Sequence, residues 1–125
     1  ESKLIDSSVW LAYLFNGLFT EIIDSDEIFL LSVLSLFEIK NKLVKNNTEI
    51  TKITKSIDLI KKRSLIINVN EEISEKAVEF SSKNNLAAID SLIYTTAILN
   101  NAQLITLDND FRKLDNVLIL DKKIS

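Results

Sequence analysis

Three aspartates mark the ends of apolar segments that lie far apart in the sequence. Asp6 follows the apolar pair Leu4-Ile5. Asp108 follows the apolar run from 104 to 107, and Asp90 opens an apolar helical segment. If the two apolar runs are neighbouring parallel strands, their carboxyl ends meet at one edge of the sheet. The aspartates then form a cluster of oxygen ligands, which hard cations such as Mg²⁺ or Mn²⁺ prefer, so the spacing predicts a divalent-metal site.

Each of these aspartates also has an ordinary structural explanation. Asp6 and Ser8 are residue types that cap helices, and for Ser8 capping is favoured over a hydrogen bond within the site. A negative charge at Asp90 suits the first turn of a helix because it interacts favourably with the helix dipole. Asp108 and Asp110 frame a turn, where such residues form local hydrogen bonds. The combination, rather than any single residue, supports the metal-site hypothesis.

Glu38 adds a fourth carboxylate, because it interrupts the apolar run from Val33 to Ile39. A charge in such a run is costly unless it is paired or bound to a metal. The alternative is an ion pair with Lys42 one helical turn later, but the apolar neighbours favour an inward position for Glu38. A calcium-binding loop at 108–110 is discounted, because the Gly and the terminal Glu that it requires are missing.

The composition narrows the chemistry further. The chain has 125 residues, 46% hydrophobic and 26% charged, which predicts one globular domain over 1–125. It contains no Cys and no His, which excludes thiolate sites, cysteine nucleophiles and imidazole acid–base catalysis. We expect a cytoplasmic protein without a membrane partner, because no apolar run is long enough to span a bilayer and no signal peptide is evident. The net charge of −3 argues against a protein that coats nucleic acid broadly.

Short apolar strands alternate with helical segments along the chain, which is typical of a mostly parallel α/β sheet covered on both faces. The predicted strands are Leu4–Ile5, Ile28–Leu31, Leu65–Val69, Leu104–Leu107 and Val117–Leu120. The predicted helices cover residues 9–15, 18–23, 33–45, a segment from 49 onwards, 71–83 and 88–99, with one further turn at 111–114. Two of them have predicted apolar stripes, formed by Ile50, Ile53, Ile57 and Ile60 and by Ile73, Ala77, Val78 and Phe80. The pattern alone does not determine the order of the strands.

The acidic positions and their flanking residues resemble the PIN-domain ribonucleases, and most closely the VapC-type toxins of toxin–antitoxin pairs. The matching segments are Leu4–Ser8, Glu38, Ala88–Ile93 and Leu104–Phe111, which span nearly the whole chain in the family's order. The resemblance implies a three-layer α/β/α PIN-like fold around a central parallel five-stranded sheet, with strand order 3-2-1-4-5. It also implies an RNA substrate, a homodimer and an antitoxin protein that masks the groove.

By position, the resemblance assigns a catalytic quartet of Asp6, Glu38, Asp90 and Asp108. The three aspartates are expected to hold Mg²⁺ or Mn²⁺ directly, while Glu38 binds it through water or positions the nucleophile. The residues expected to support this site are Ser8, Thr106 and Asp110. The predicted activity is metal-dependent endoribonuclease cleavage, in which hydrolysis of a phosphodiester bond leaves a 3′-hydroxyl and a 5′-phosphate.

Substrate phosphates need positive partners in addition to a metal. A basic segment covers residues 40–63, and Lys61 and Lys62 are its candidate RNA-binding residues. Ordinary solvation of a helix surface is the alternative explanation for these lysines. If the segment guides RNA, reversing both charges reduces RNA binding and its salt dependence. Arg112 is a third candidate, because it follows the acidic turn directly.

Two other classes of protein remain as alternatives to the nuclease. One is a noncatalytic RNA-binding or scaffold PIN-like domain. The other is a receiver-type signalling domain, which needs adjacent acids near its first strand, whereas Asp6 stands alone there. A nucleotide-binding module is disfavoured further, because a single Gly supplies neither a phosphate loop nor a dinucleotide fingerprint.

Overall fold

The apolar segments form a five-stranded parallel sheet, and the segments between them form helices. The computed structural model describes residues 1–122, so the last part of the predicted domain over 1–125 lies outside the described residues. The strands are β1 (Ser2–Ile5), β2 (Phe29–Ser32), β3 (Ser64–Ile67), β4 (Ala102–Thr106) and β5 (Val117–Ile119). The helices are α1 (Ser7–Asn16), α2 (Thr20–Ile23), α3 (Val33–Lys45), α4 (Ile50–Arg63), α5 (Glu71–Asn84), α6 (Ala88–Leu99) and a 3₁₀ helix (Asn109–Phe111).

The strands lie in the order β3-β2-β1-β4-β5, and every neighbouring pair is parallel. This confirms the order that the family resemblance implied. In the register of the central pair, Ile5 stands opposite Ile105. The residues that follow β1 and those that end β4 therefore meet at the same carboxyl edge of the sheet.

Each face of the sheet packs against its own hydrophobic core, as expected for strands whose successive side chains point to opposite faces. Ile5 and Ile105 belong to the core that contains Trp10. Their neighbours Leu4 and Leu104 belong to the core on the other face. The result is the predicted three-layer α/β/α arrangement, in which the sheet lies between two helical layers.

Several predicted element boundaries are wrong, and so is one member of each predicted stripe. The third strand lies one to two residues earlier than predicted, at Ser64–Ile67, and β4 begins at Ala102 and ends before Leu107. Val78 is 65% exposed although Ala77 is buried, because adjacent helical residues point about 100° apart and α5 packs through Ala77. Ile50 is 80% exposed, because it is the first residue of α4 and lies outside the buried part of its stripe.

The first helix ends at Asn16, and Gly17 caps it. Gly17 has φ +66°, the left-handed conformation that glycine adopts without strain, and its N–H bonds the carbonyl of Tyr13. Among residues 1–122, none of the helices combines the length and the apolarity needed to cross a membrane.

Candidate active site

Asp6 lies at the carboxyl edge of the sheet, between the two central strands. Its N–H donates to the carbonyl of Ile105 at 2.9 Å, which extends the β1–β4 pairing by one residue. Its carbonyl accepts the N–H groups of Val9 and Trp10 and thereby begins α1. The carboxylate makes no capping hydrogen bond to the helix, and Asp6 is 6% exposed. Asp6 is thus the N-cap residue by backbone position only, and its side chain is directed to the site.

Two hydroxyl groups fix the Asp6 carboxylate. Ser8 Oγ and Thr106 Oγ1 each donate to Asp6 Oδ2 at 2.7 Å. Because each hydroxyl has a single proton, neither donates across the 3.4 Å between them. Each accepts a backbone N–H instead, from Leu107 to Ser8 at 3.0 Å and from Asp108 to Thr106 at 3.0 Å. The favoured capping role of Ser8 is therefore wrong, because its hydroxyl links Asp6 to the chain that leaves β4.

Replacing Thr106 by Val is expected to destabilise the protein by about 2 kcal/mol. Val keeps the shape of this fully buried side chain but removes the donor to Asp6 and leaves the N–H of Asp108 without its acceptor. Thr96→Val is the matched control, because buried Thr96 only donates to a carbonyl within its own helix. Urea unfolding of both variants measures the difference, and an equal loss in the two would contradict this role for Thr106.

Asp90, Asp108 and Asp110 form a compact acidic group. Each offers one carboxylate oxygen, and these oxygens lie within 4.8 Å of one another. The group is assembled from the first turn of α6 and from the 3₁₀ helix after β4. Asp108 Oδ1 accepts the N–H of Asp110 at 2.9 Å, which fixes the turn between them. Asp110, predicted only as a supporting residue, thus stands with Asp90 and Asp108, whereas Asp6 lies outside this tight group.

The electrostatics of Asp90 bring Asp6 and Glu38 into the same site. Burial, the largest cause, and the charges of four other acids together raise the pKa of the Asp90 carboxyl from 3.8 to about 6. In decreasing order, these acids are Asp108, Asp6, Asp110 and Glu38. Within residues 1–122, no Lys or Arg forms an ion pair with any of the five. None of the five carboxylates is therefore neutralised by an ion pair in this part of the chain, and they repel one another.

Glu38 is held by a residue that the sequence did not single out. Ser7 Oγ donates to Glu38 Oε1 at 3.1 Å. Burial raises the pKa of Glu38, the charge of Asp6 raises it further, and the hydrogen bond from Ser7 opposes both effects. The position of Ser7 beside Asp6, in the first turn of α1, is the only sequence feature that indicates a place near the site. Nothing in the sequence pairs Ser7 with Glu38.

The metal-free protein is expected to lose stability as the pH rises from about 4 through about 6. Because the pKa of Asp90 is about 6 in the folded protein and 3.8 ordinarily, the folded state binds more protons between these values. Asp90→Asn should therefore be more stable than the wild type at neutral pH, by about 1 kcal/mol after solvent screening is allowed for. Thermal unfolding in EDTA at the two ends of this pH range measures the difference.

The matched control is Asp26→Asn, an exposed aspartate before β2 at the amino edge of the sheet. This variant should follow the wild type at both ends of the range. A stability gain in Asp90→Asn that is equally large near pH 4 would contradict the assignment to titration of Asp90.

The candidate RNA-binding residues lie in two different places. Lys61 and Lys62 are in the last turn of α4, directly before the start of β3, and so at the amino edge of the sheet. The acidic residues lie at the opposite, carboxyl edge. Arg112 follows the 3₁₀ helix, and its Nη2 donates to Asn109 Oδ1 at 2.8 Å. The structure therefore places Arg112 beside the acidic group, and Lys61 and Lys62 away from it.

The acidic group suits a hard divalent cation in its chemistry and its size. All of its donors are carboxylate oxygens, the ligands that Mg²⁺ and Mn²⁺ take in proteins. Oxygens bound to one Mg²⁺ ion at about 2.1 Å lie at most about 4.2 Å apart. The oxygens of the group already lie within 4.8 Å, and Asp110 is exposed and free to adjust. The residues present fit such an ion.

Comparison with protein families gives a match over almost the whole length of the chain. The model of the PIN domain matches residues 3–117, which includes all five acids. The chain belongs to the PIN domain family. This confirms the resemblance drawn from the acidic motifs. No curated protein matches this PIN domain significantly.

Solved structures share the fold of this PIN domain over nearly their full lengths. A toxin–antitoxin complex from Klebsiella pneumoniae is 23% identical with a TM-score of 0.79, and the match covers 94% of this chain and 96% of that chain. A VapBC complex from Rickettsia felis bound to promoter DNA is 16% identical with a TM-score of 0.78, and the match covers 96% of this chain and 98% of that chain. A VapC toxin from Mycobacterium tuberculosis, described as cleaving the sarcin–ricin loop, is 15% identical with a TM-score of 0.73. The match covers 96% of this chain and 100% of that chain. These likenesses establish the three-layer fold.

Proposed function

We propose that this PIN domain is a metal-dependent endoribonuclease of the VapC type and the toxin of a toxin–antitoxin pair. The observation that supports the proposal best is the convergence of five acids at one edge of the sheet, none of which forms an ion pair within residues 1–122. Ionised carboxylates that repel one another favour the binding of a cation among them. An acidic group of this kind is the usual basis of metal-assisted hydrolysis of phosphodiesters.

In the proposed site, Asp90, Asp108 and Asp110 offer the oxygens that would hold Mg²⁺ or Mn²⁺. Asp6 is the fourth ligand candidate, and Ser8 and Thr106 keep its carboxylate in place. A bound divalent cation lowers the pKa of a coordinated water and neutralises charge on the scissile phosphate.

Glu38 is the remaining member of the predicted quartet. Its raised pKa and its position beside Asp6 suit a group that accepts a proton from the attacking water or orients that water. Attack of water on phosphorus breaks the bond to the 3′ oxygen. The products are one fragment with a 3′-hydroxyl and one with a 5′-phosphate.

The similar structures support one of the proposed partners, the antitoxin. The Klebsiella pneumoniae and Rickettsia felis structures are described as toxin–antitoxin and VapBC complexes. We therefore propose an antitoxin protein as a partner of this chain. An RNA substrate and assembly as a homodimer are proposed from the family resemblance. Light scattering of the purified protein measures the last of these directly.

The deciding experiment is incubation of the purified protein with a mixed pool of RNA in Mg²⁺ or Mn²⁺. We expect cleavage into fragments with 5′-phosphate ends that EDTA stops and added cation restores. If the wild-type protein binds RNA but leaves it intact with either cation, the chain is a noncatalytic PIN-like domain and the proposal is wrong.

A further inference from the structure

A cleft of about 530 Å³ opens directly beside the acidic group. Asp110 belongs to both, since it lines the cleft and lies with Asp90 and Asp108. Lys83, near the end of α5, also lines the cleft, and Leu114 supplies an apolar part of the lining. This volume is in the usual range for a site that holds a small ligand or a piece of a larger one.

The lining of this cleft is positively charged, although the whole chain has a net charge of −3. Lys83, Arg112 and Lys113 line it together with a single carboxylate, that of Asp110. All three cations are exposed, and within residues 1–122 none of them forms an ion pair. Lys83 also suits the last turn of a helix, but this does not explain why cations from two separate segments meet in one cleft.

Arg112 is oriented before any ligand arrives. Its guanidinium donates to Asn109 Oδ1 at 2.8 Å, and its backbone N–H donates to the carbonyl of Asn109 at 3.0 Å. A planar guanidinium fixed in this way keeps further N–H donors for a phosphate, which it binds in a forked geometry. The neighbouring cleft beside Ser8 and Asp108 has one lysine in its lining, Lys122, whereas the cleft beside Asp110 has three cations.

We propose that this cleft binds the stretch of the RNA strand that adjoins the scissile phosphate. The three cations contact backbone phosphates, and the polyanion is thereby held against an edge of the protein that would otherwise repel it. This inference rests on the proposed nuclease function, and it specifies on which side of the acidic group the RNA substrate lies. It also assigns Lys83 and Lys113 to substrate binding, a role that the sequence suggested for Lys61 and Lys62.

The test compares two double variants with the same change of charge. The cleft variant combines Lys83→Gln and Lys113→Gln, and the Lys61/Lys62 variant combines Lys61→Gln and Lys62→Gln. All four lysines are exposed, so both proteins should fold, and equal melting temperatures would verify this. The probe is a fluorescent single-stranded RNA of random sequence, about 12 nucleotides long. Fluorescence anisotropy in EDTA gives the Kd between about 50 and 200 mM NaCl without cleavage.

The cleft variant should lower the slope of log K against log salt by about 1.4, because each single-strand phosphate contact contributes about 0.7. Its Kd at the lowest salt should rise about tenfold or more. The Lys61/Lys62 variant should keep the wild-type slope. An unchanged slope in the cleft variant, or an equal loss in both variants, would overturn the assignment of the cleft.

Adding Mg²⁺ to the same mixtures separates this inference from the proposed function. If the wild type cleaves RNA and the cleft variant binds and cleaves it equally well, the cleft inference is wrong and the nuclease proposal stands. If the wild type binds RNA but does not cleave it, both are wrong, because there is then no scissile phosphate for the cleft to adjoin.

Discussion

Replacing Asp90 by Asn should reduce Mg²⁺-dependent RNA cleavage on the order of 1,000-fold, which corresponds to about 4 kcal/mol of transition-state stabilisation. Asn preserves the size of the side chain but removes the charge that stands next to Asp108 and Asp110. The loss should appear in kcat, because cation binding at this site is proposed to stabilise charge that develops during the reaction. Initial rates with a labelled RNA at saturating Mg²⁺ measure it.

The same substitution should stabilise the metal-free protein, and this opposite sign distinguishes a functional effect from misfolding. Burial and the neighbouring carboxylates raise the pKa of Asp90 to about 6, so the charged form of Asp90 destabilises the fold at neutral pH. Asp26→Asn, at the other edge of the sheet, should retain wild-type activity and stability. Full activity in a well-folded Asp90→Asn protein would remove Asp90 from the site.

Millimolar Mg²⁺ or Mn²⁺ should raise the melting temperature of the wild-type protein substantially. A ligand present at about 100 times its Kd stabilises the folded state by about 2.7 kcal/mol, which for a domain of this size is about 10 °C. The affinity that sets this gain includes the relief of the repulsion among the five acids. Differential scanning calorimetry with and without EDTA measures the shift.

The shift should depend on pH and on Asp90. Below pH 6 the Asp90 carboxyl holds a proton that the cation must displace, so the shift should be smaller near pH 5 than above pH 7. Asp90→Asn should lose most of the shift, and Asp26→Asn should keep all of it. A shift of equal size in Asp90→Asn would mean that the cation binds elsewhere.

The strands and the acids at their ends were predictable from the sequence, because burial on both faces leaves a local signal. Apolar runs of a few residues that stop at Asp6 and at Asp108 indicate parallel strands that end at one edge. The strand order came from the family resemblance rather than from this pattern, because periodicity does not report which strands are neighbours. The structure confirms the parallel strands and their order, and the family match confirms the resemblance.

The side-chain contacts within the site were not predictable, since they join residues that are remote in the sequence. Ser8 was expected to cap its helix, but its hydroxyl binds Asp6 and the N–H of Leu107. Ser7 was overlooked, because its partner Glu38 comes 31 positions later. The local sequence pattern favours helix capping for these serines. The packing of α1 against α3 and β4 instead brings their hydroxyls to Glu38, Asp6 and the N–H of Leu107.

The sequence by itself determined that this chain forms a parallel α/β sheet with acids at its carboxyl edge, because strand period, helix period and strand ends are properties of short segments. Only the tertiary structure decided that Asp110 stands with Asp90 and Asp108, and that Lys61 and Lys62 lie at the far edge. The physical reason is that hydrogen bonds and Coulomb interactions depend on distance through space. The register of β1 against β4 sets those distances between residues about 100 positions apart.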